Sequence, residues 1–150
     1  MTQQGKVKAI CISEKKGTEK HAVKEAVVNE TGIVGDAHAG KWHRQISVLS
    51  FEEVEKFKEQ NPHVDIIDGA FGENILLEGI DLCKPKIGDR IQIGDVELEV
   101  TQIGKECHGD GCTIFKAVGK CIMPKVGIFT KVISEGIIKK GDRAEYNGKN

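Results

Sequence analysis

The sequence predicts a mostly β protein whose strands form a closed or nearly closed β-barrel with one or two short helices. Three observations lead to this prediction: short runs rich in β-branched residues, 18 glycines against 3 prolines, and a single segment with clear helical periodicity. A barrel suits such a chain because closing the sheet hides the edges of its strands. With 150 residues and no linker rich in proline or serine, the chain is expected to form one domain over residues 1–150.

Three segments in the first half of the chain have strand patterns. Residues 6–13 and 44–49 carry β-branched and aliphatic residues in short runs. Residues 21–28 fit a strand and would also fit a short helix, and we favour the strand. The sequence therefore predicts three strands before Ser50.

One helix follows the third strand. Ser50 followed by Glu53 has the form of a capping box, in which the hydroxyl and the carboxylate each accept a backbone N–H bond at the start of a helix. We predict a helix over about residues 51–60, which Asn61-Pro62 ends. Apolar residues spaced three apart would form its buried face: Phe51, Val54 and Phe57.

Residues 89–101 predict a β-hairpin in which Gly94-Asp95 is a two-residue turn. This turn sets the register, which pairs Ile93 with Val96, Gln92 with Glu97 and Ile91 with Leu98. The same register places Arg90 opposite Glu99, so we expect a cross-strand ion pair.

Two short segments are similar to each other. Residues 86–90 and 139–143 both read Lys-x-Gly-Asp-Arg, and each precedes a strand-like run. We interpret this similarity as the same turn chemistry used twice rather than as an internal duplication.

The charge balance argues against several classes of protein. There are 22 Lys and Arg against 23 Asp and Glu, and the formal net charge of −1 does not favour binding to nucleic acid or to a membrane surface. The N-terminus is polar, and no run reaches the roughly 18 apolar residues of a membrane span. We therefore expect a soluble, cytoplasmic protein with neither of these partners.

The chain has 5 cysteines, and an odd number favours thiols, metal ligands or catalytic groups over a disulfide framework. Cys11 lies between Ile10 and Ile12 in a predicted strand, where a free cysteine acts as a small apolar residue. Cys83 has the same simple interpretation.

Cys107 stands in a segment suited to a reactive thiol. Lys105 and His108 would favour its thiolate, and neighbouring glycines would leave it accessible. Cys112 and Cys121 follow it, and three thiols with His108 are also a legitimate zinc set. The spacing lacks the paired cysteines of a zinc knuckle, so we prefer the nucleophile and keep the metal site as an alternative.

Residues 32–44 combine glycines with positive charge. The glycines would let backbone N–H groups approach a ligand, and four residues would attract an anion: His38, Lys41, His43 and Arg44. The segment matches neither a Walker loop nor a dinucleotide-binding motif. The residues alone leave a phosphate-type site and a solvated turn equally open, and we interpret Trp42 as a packing residue rather than a stacking platform.

A second polar turn spans residues 68–75 and leads into a predicted strand at residues 74–77. A functional role would have Glu73 or Asn74 hydrogen-bonding a polar heterocycle beside the first loop. Turn formation alone explains the same residues, and by themselves they favour that structural role.

Taken in order, these motifs resemble a MOSC domain, the domain named for the C-terminal part of molybdenum cofactor sulfurases. The resemblance covers about residues 6–146 and ends in a strand followed by the cysteine segment. Its motifs are residues 35–40, 44–49, 69–74 and 87–90.

The resemblance implies a β-barrel that binds the molybdopterin cofactor or carries sulfur through one cysteine, which by position is Cys107. Lys105, His108 and Cys112 would assist that thiol, which could also be a direct molybdenum ligand; Cys112 and Cys121 are further, weaker candidates for a metal. The resemblance also favours both turns as parts of one cofactor cleft. The residues that it assigns to the cofactor are Gly35, Asp36, His38, Lys41, His43, Arg44, Gly72, Glu73 and Asn74.

The resemblance also implies partners. Sulfurases of this type carry a pyridoxal-phosphate desulfurase module, which 150 residues cannot contain, so sulfur would come from a separate cysteine desulfurase. A molybdoenzyme or a cofactor-biosynthesis protein would be the acceptor. The sequence leaves open whether the chain has sulfurtransferase-like turnover. Two alternatives are a structural zinc or iron module and a molybdenum-dependent reductase of N-hydroxylated compounds that needs a separate electron donor.

Overall fold

The structure is a computed structural model that describes residues 2–15, 20–82, 84–103 and 127–148. Within these ranges it contains eleven strands and one short helix. In chain order they are β1 (Thr2–Ile12), β2 (His21–Val23), β3 (Glu25–Asn29), β4 (Gly32–Ile33), β5 (Ile46–Ser50), α1 (Phe51–Gln60), β6 (Ile75–Glu78), β7 (Arg90–Ile93), β8 (Val96–Ile103), β9 (Gly127–Ser134), β10 (Gly136–Lys139) and β11 (Arg143–Asn147).

Seven strands close into a barrel, which confirms the predicted fold class. Around the ring the order is β1-β11-β7-β8-β9-β5-β6 and back to β1. The ring closes because β1 is long: its first half pairs with β11, and residues from Lys6 to Ile10 pair with β6. Neighbours are antiparallel except β5 and β6, which are parallel. β2 lengthens the sheet beside the second half of β1.

A second, three-stranded sheet contains β10, β3 and β4. The predicted strand over residues 21–28 is therefore confirmed as extended structure, but it divides at Lys24. Its first part, β2, pairs with the barrel strand β1, whereas its second part, β3, pairs with β10. A single chain segment thus joins the two sheets.

Apolar side chains fill the inside of the barrel. Strand residues alternate between the two faces of the sheet. Ile10 belongs to the main core, and its neighbours Ala9 and Cys11 belong to a second cluster on the other face. The residues Ile75, Ile91 and Leu98 are fully buried in the main core. Among the described residues, apolar side chains therefore occupy the interior of the barrel.

Helix α1 covers the second cluster and has the predicted bounds. The Ser50 hydroxyl accepts the backbone N–H of Glu53 at 3.3 Å, as the capping box predicts. Val54 and Phe57 are buried against the sheet, whereas Phe51 is half-buried. No helix in the described ranges has both the length and the apolar character needed to span a membrane.

The hairpin β7–β8 has the predicted register, from Ile93 opposite Val96 to Arg90 opposite Glu99. Arg90 and Glu99 form the expected ion pair at 3.3 Å, and Glu97 contacts the same guanidinium at 3.4 Å. The two-residue turn is Gly94-Asp95, and Gly94 has a positive φ of 58°. This turn is the local signal that sets the register.

The repeated Lys-x-Gly-Asp-Arg segments form the same turn. The Asp89 carboxylate accepts the backbone N–H of Lys86 at 2.7 Å, and the Asp142 carboxylate accepts that of Lys139 at 2.8 Å. The glycine before each aspartate has a positive φ, 98° at Gly88 and 95° in the second turn. The similarity is therefore explained by turn geometry, as predicted.

Candidate functional site

The basic loop between β4 and β5 lies against the end of β8. Arg44 Nε donates to the Gln102 side-chain oxygen at 2.9 Å, and His43 Nε2 lies 3.0 Å from the same oxygen. Since an amide oxygen only accepts, His43 must be the donor. The Thr101 hydroxyl also donates to the His43 carbonyl. The loop is thus attached to the strand that leads into the cysteine-bearing segment.

That segment lies outside the described residues. It begins directly after Ile103, at the end of β8. The predicted residues within it are Lys105, Cys107, His108, Cys112 and Cys121, and Cys83 is also outside the described ranges. The predicted roles of these residues stay predictions.

A buried charged cluster lies against the basic loop and contains Ser13, Lys20, Asp36 and His38. The Lys20 ammonium is fully buried and has an acceptor for each of its three N–H groups: Asp36 Oδ1 at 2.7 Å, His38 Nδ1 at 2.9 Å and Ser13 Oγ at 3.3 Å. Because Lys20 donates to Nδ1, a neutral His38 carries its proton on Nε2. The tautomer of His38 is therefore set by Lys20.

Asp36 is buried and serves both as counter-charge and as loop anchor. It accepts the backbone N–H groups of Ser13 and of His38, each at 3.1 Å. Burial alone would raise the pKa of this carboxyl, but the hydrogen bond and the charge of Lys20 outweigh burial and hold the pKa below its ordinary 3.8. Asp36 therefore stays ionised and neutralises Lys20.

Trp42 packs on the cluster. Its ring stacks on His38 with centroids 6.5 Å apart and planes within 9°, and its Nε1 donates to the His38 carbonyl at 2.8 Å. Trp42 is itself 38% exposed, so these contacts place it over His38 at the surface rather than in the core. They also hold the imidazole of His38 in a fixed plane.

The polar side chains of the second turn form hydrogen bonds within the protein. Glu73 is 1% exposed, and its two oxygens accept the backbone N–H groups of Gly69 at 2.8 Å and Phe71 at 3.1 Å. Burial raises the pKa of the Glu73 carboxyl to about 7, although the N–H bonds act in the opposite direction. Asn74 is fully buried and bonds to Ser47.

The side chains of Glu73 and Asn74 are therefore inaccessible to solvent, while Gly72 is half-buried. The turn also touches the charged cluster, since the Gly69 carbonyl accepts the backbone N–H of Lys20 at 3.2 Å. The structure thus brings the two predicted turns together through Lys20. Contact of Gly72, Glu73 and Asn74 with a ligand stays a prediction.

Sequence reasoning missed Lys20, Ser13 and Gln102. Lys20 ends a charged stretch, residues 14–20, that has the composition of a solvated loop. The only signal for its burial is a carboxylate sixteen residues later, at Asp36, and this distance is not a recognisable motif. Such pairs are found only when the fold brings their segments together.

The described residues also bear on the metal and thiol predictions. Cys11 is a free, fully buried thiol, as predicted, and burial raises its pKa far above the ordinary value. In the described ranges no group of three or more His, Cys, Asp or Glu side chains is arranged to hold a metal ion. The residues proposed for zinc lie outside those ranges, so that alternative is untested.

Together these features define a class of small, mostly β proteins built on a closed seven-stranded barrel. The MOSC domain model matches residues 35–145, and the chain belongs to the MOSC domain family, which is associated with the molybdenum cofactor.

Solved structures share this fold. The YuaD protein from Bacillus subtilis is 20% identical with a TM-score of 0.81, and the match covers 100% of this chain and 99% of that chain. YiiM from Escherichia coli is 21% identical with a TM-score of 0.68, covering 98% of this chain and 71% of that chain. YiiM from Geobacillus stearothermophilus is 19% identical with a TM-score of 0.72, covering 95% and 75%. No curated protein matches the sequence significantly.

Glu73 should make the stability of the protein depend on pH. Its pKa is about 7 in the folded protein and 4.5 ordinarily, so between these values the folded state holds a proton that the unfolded state loses. Its stabilising contribution is therefore complete below pH 4.5 and disappears as the pH rises through 7. We expect the free energy of unfolding of the native protein, minus that of Glu73→Gln, to fall by about 3 kcal/mol over this range in urea titrations. A difference that does not vary with pH would contradict this assignment.

Proposed function

We propose that the protein binds the molybdenum cofactor at the barrel rim and transfers sulfur for it through Cys107. One observation carries the proposal: Arg44 and His43 are hydrogen-bonded to Gln102, at the end of β8. Cys107 follows the last residue of that strand by only four positions. Four extended residues span at most about 14 Å, and the proposal takes the thiol to lie within that reach of the basic loop.

The side chains of the loop fit an anionic cofactor. The pterin carries a phosphate, and Lys41 is an exposed cation on the loop. Arg44 is half-buried and oriented, since its Nε bonds to Gln102 and its guanidinium lies 5.2 Å from the ring centroid of Phe129. Lys20 and Asp36 cancel each other, so the binding charge resides on Lys41 and Arg44. When bound, the cofactor would supply a redox-active molybdenum that accepts sulfur.

The proposed sulfur step is an exchange between thiols. The Cys107 thiolate attacks the outer sulfur of a donor persulfide, the donor S–S bond breaks, and the donor thiolate leaves. Lys105 and His108 favour the ionised form of Cys107. Cys112 then attacks the inner sulfur of the Cys107 persulfide, which forms a disulfide and releases hydrosulfide. A cysteine desulfurase in the cytoplasm is the donor, and a molybdoenzyme or a cofactor-biosynthesis protein is the acceptor.

The test combines sulfur loading with cofactor content. The full chain, purified anaerobically, is incubated with a cysteine desulfurase and cysteine, and its cysteine peptides are weighed by mass spectrometry. We expect one added sulfur on the Cys107 peptide, none in Cys107→Ala, and a longer-lived persulfide in Cys112→Ala. Undiminished labelling of Cys107→Ala would overturn the carrier role.

Cofactor content is measured by pterin fluorescence after oxidation. Arg44→Gln should lose about tenfold or more of the bound pterin, because it removes a charged hydrogen-bond donor from the rim. Arg143→Gln is the matched control, since Arg143 is an exposed arginine on β11 that bonds to Gln4. Stoichiometric zinc without pterin in the native protein would overturn cofactor binding and favour the structural metal module.

A further inference from the structure

The Glu73 turn holds the backbone of Lys20. With its carboxylate bonded to the N–H groups of Gly69 and Phe71, Glu73 closes a turn whose two glycines have φ of 89° and 80°. The carbonyl of Gly69 then accepts the N–H of Lys20. The turn and Lys20 are packed so closely that a Cβ on Gly69 would lie 2.2 Å from the Lys20 carbonyl oxygen. The position of Lys20 therefore depends on the turn that Glu73 closes.

Asn74 holds the strand end to which Asp36 is bonded. Its amide oxygen accepts the backbone N–H of Ser47 at 2.9 Å, and its Nδ2 donates to the Cys11 carbonyl at 3.0 Å. Its backbone carbonyl accepts the N–H of Cys11 at 2.6 Å, so Asn74 bonds both backbone groups of that residue. Ser13, two residues after Cys11, donates its backbone N–H to Asp36 Oδ1 at 3.1 Å. Asn74 thus joins β5 to the end of β1 that binds Asp36.

We infer that Glu73 and Asn74 are positioning residues, with Glu73 placing Lys20 and Asn74 placing the end of β1 to which Asp36 is bonded. Lys20 and Asp36 in turn fix the loop of His38, since Lys20 donates to its Nδ1 and Asp36 accepts its backbone N–H. The two consecutive residues therefore determine how the imidazole of His38 faces the rim. That this rim binds the cofactor rests on the proposed function, whereas the positioning itself is a property of the free protein.

The chemistry of each side chain fits this role. Above its pKa of about 7, the ionised Glu73 offers one oxygen to each of two N–H donors, whereas the amide of Gln would leave one of them facing an NH2 group. Replacing Asn74 by Asp keeps an oxygen for Ser47 but loses the donor to the Cys11 carbonyl and leaves two oxygens facing each other. Both substitutions preserve size, so their effects report on hydrogen bonding rather than on packing.

The experiment reads the tautomer of His38 by long-range ¹H–¹⁵N NMR on the full chain without ligand, at a pH above the Glu73 pKa of about 7. In the native protein we expect a neutral His38 with its proton on Nε2 and an unprotonated Nδ1. Glu73→Gln and Asn74→Asp should shift the ¹⁵N signals of His38 to those of a tautomer mixture. Asp68→Asn, which removes a charge beside the same turn, should leave them unchanged. Native tautomer signals in both folded variants would overturn the inference.

A measurement on the native protein keeps the inference testable if a variant does not fold. The backbone amides of Gly69, Phe71 and Lys20 should exchange with solvent with one common free energy of opening, because the turn and Lys20 open together. Separate free energies for Lys20 and the turn would contradict positioning by Glu73. Both readouts are taken without cofactor, so failure of cofactor binding does not affect them.

Discussion

Lys20→Met is expected to lower the free energy of unfolding by about 3–5 kcal/mol, because it leaves the buried Asp36 carboxylate without its counter-charge. Methionine matches the lysine side chain out to Cε, so the loss reports mainly on the missing ammonium. It removes the donor to three groups at once: Asp36, His38 and Ser13. Urea denaturation at neutral pH measures the change.

Lys56→Met is the matched control. Lys56 lies on α1 with its side chain 67% exposed, and it pairs with Glu53 at 3.4 Å. An exposed pair contributes little, so the change should stay within about 0.5 kcal/mol. Equal losses in the two variants would show that Lys20 has no special role.

The loss in Lys20→Met should also shrink in acid. In the native protein the pKa of Asp36 is held below 3.8, so its pairing stabilises the fold above that pH and is lost as the pH falls through the folded-state pKa. Without Lys20, burial raises the pKa of Asp36, and protonation then relieves the unpaired charge. The stability gap between the two proteins must therefore narrow as the pH falls. A gap independent of pH would contradict the pairing.

The local parts of this fold were predictable from the sequence. The register of the β7–β8 hairpin follows from a two-residue turn and from alternation, both of which are contained in neighbouring residues. Helix α1 likewise follows from the Ser50 cap and a three-residue spacing. Each of these features is decided within about a dozen residues, where hydrophobic period and turn chemistry act.

The charged cluster could not be predicted because its members come from distant segments. Ser13 follows β1, Lys20 precedes β2, and Asp36 follows β4. The pairing of β1 with β2, in which Ile12 lies opposite His21, brings Ser13 and Lys20 together. The hydrogen bond from the backbone N–H of Ala37 to the Ser13 carbonyl then brings the Asp36 loop to them. In the sequence, Lys20 has the pattern of any solvated lysine.

The second turn shows a different limit. Polar residues after glycines have the same pattern whether they face a ligand or satisfy the turn itself. The sequence alone favoured the structural role for Glu73 and Asn74, whereas the family resemblance placed them in the cofactor cleft. The structure gives both side chains internal partners, which agrees with the structural role, and contact of either side chain with a cofactor stays a prediction.

Gly69→Ala is expected to lower the free energy of unfolding by about 2–5 kcal/mol, through backbone strain and through overpacking. The backbone φ at this glycine is 89°, and the added Cβ would lie 2.2 Å from the Lys20 carbonyl oxygen and 2.6 Å from its carbonyl carbon. Backbone atoms cannot swing aside as a flexible side chain does, so either the turn or Lys20 must shift. Urea denaturation measures the loss, and the His38 ¹⁵N signals report the displacement of Lys20.

Gly72→Ala separates the two causes. Gly72 lies in the same turn with a φ of 80°, but an added Cβ would meet nothing within 4 Å. This variant should show backbone strain alone, about 1–2 kcal/mol, with native His38 signals. The free energy of unfolding lost in Gly69→Ala, minus that lost in Gly72→Ala, then measures the effect of the close approach between the turn and Lys20. If both variants lost the same stability and kept the native His38 tautomer, the turn would not support the charged cluster, and the link between the two loops would have to be abandoned.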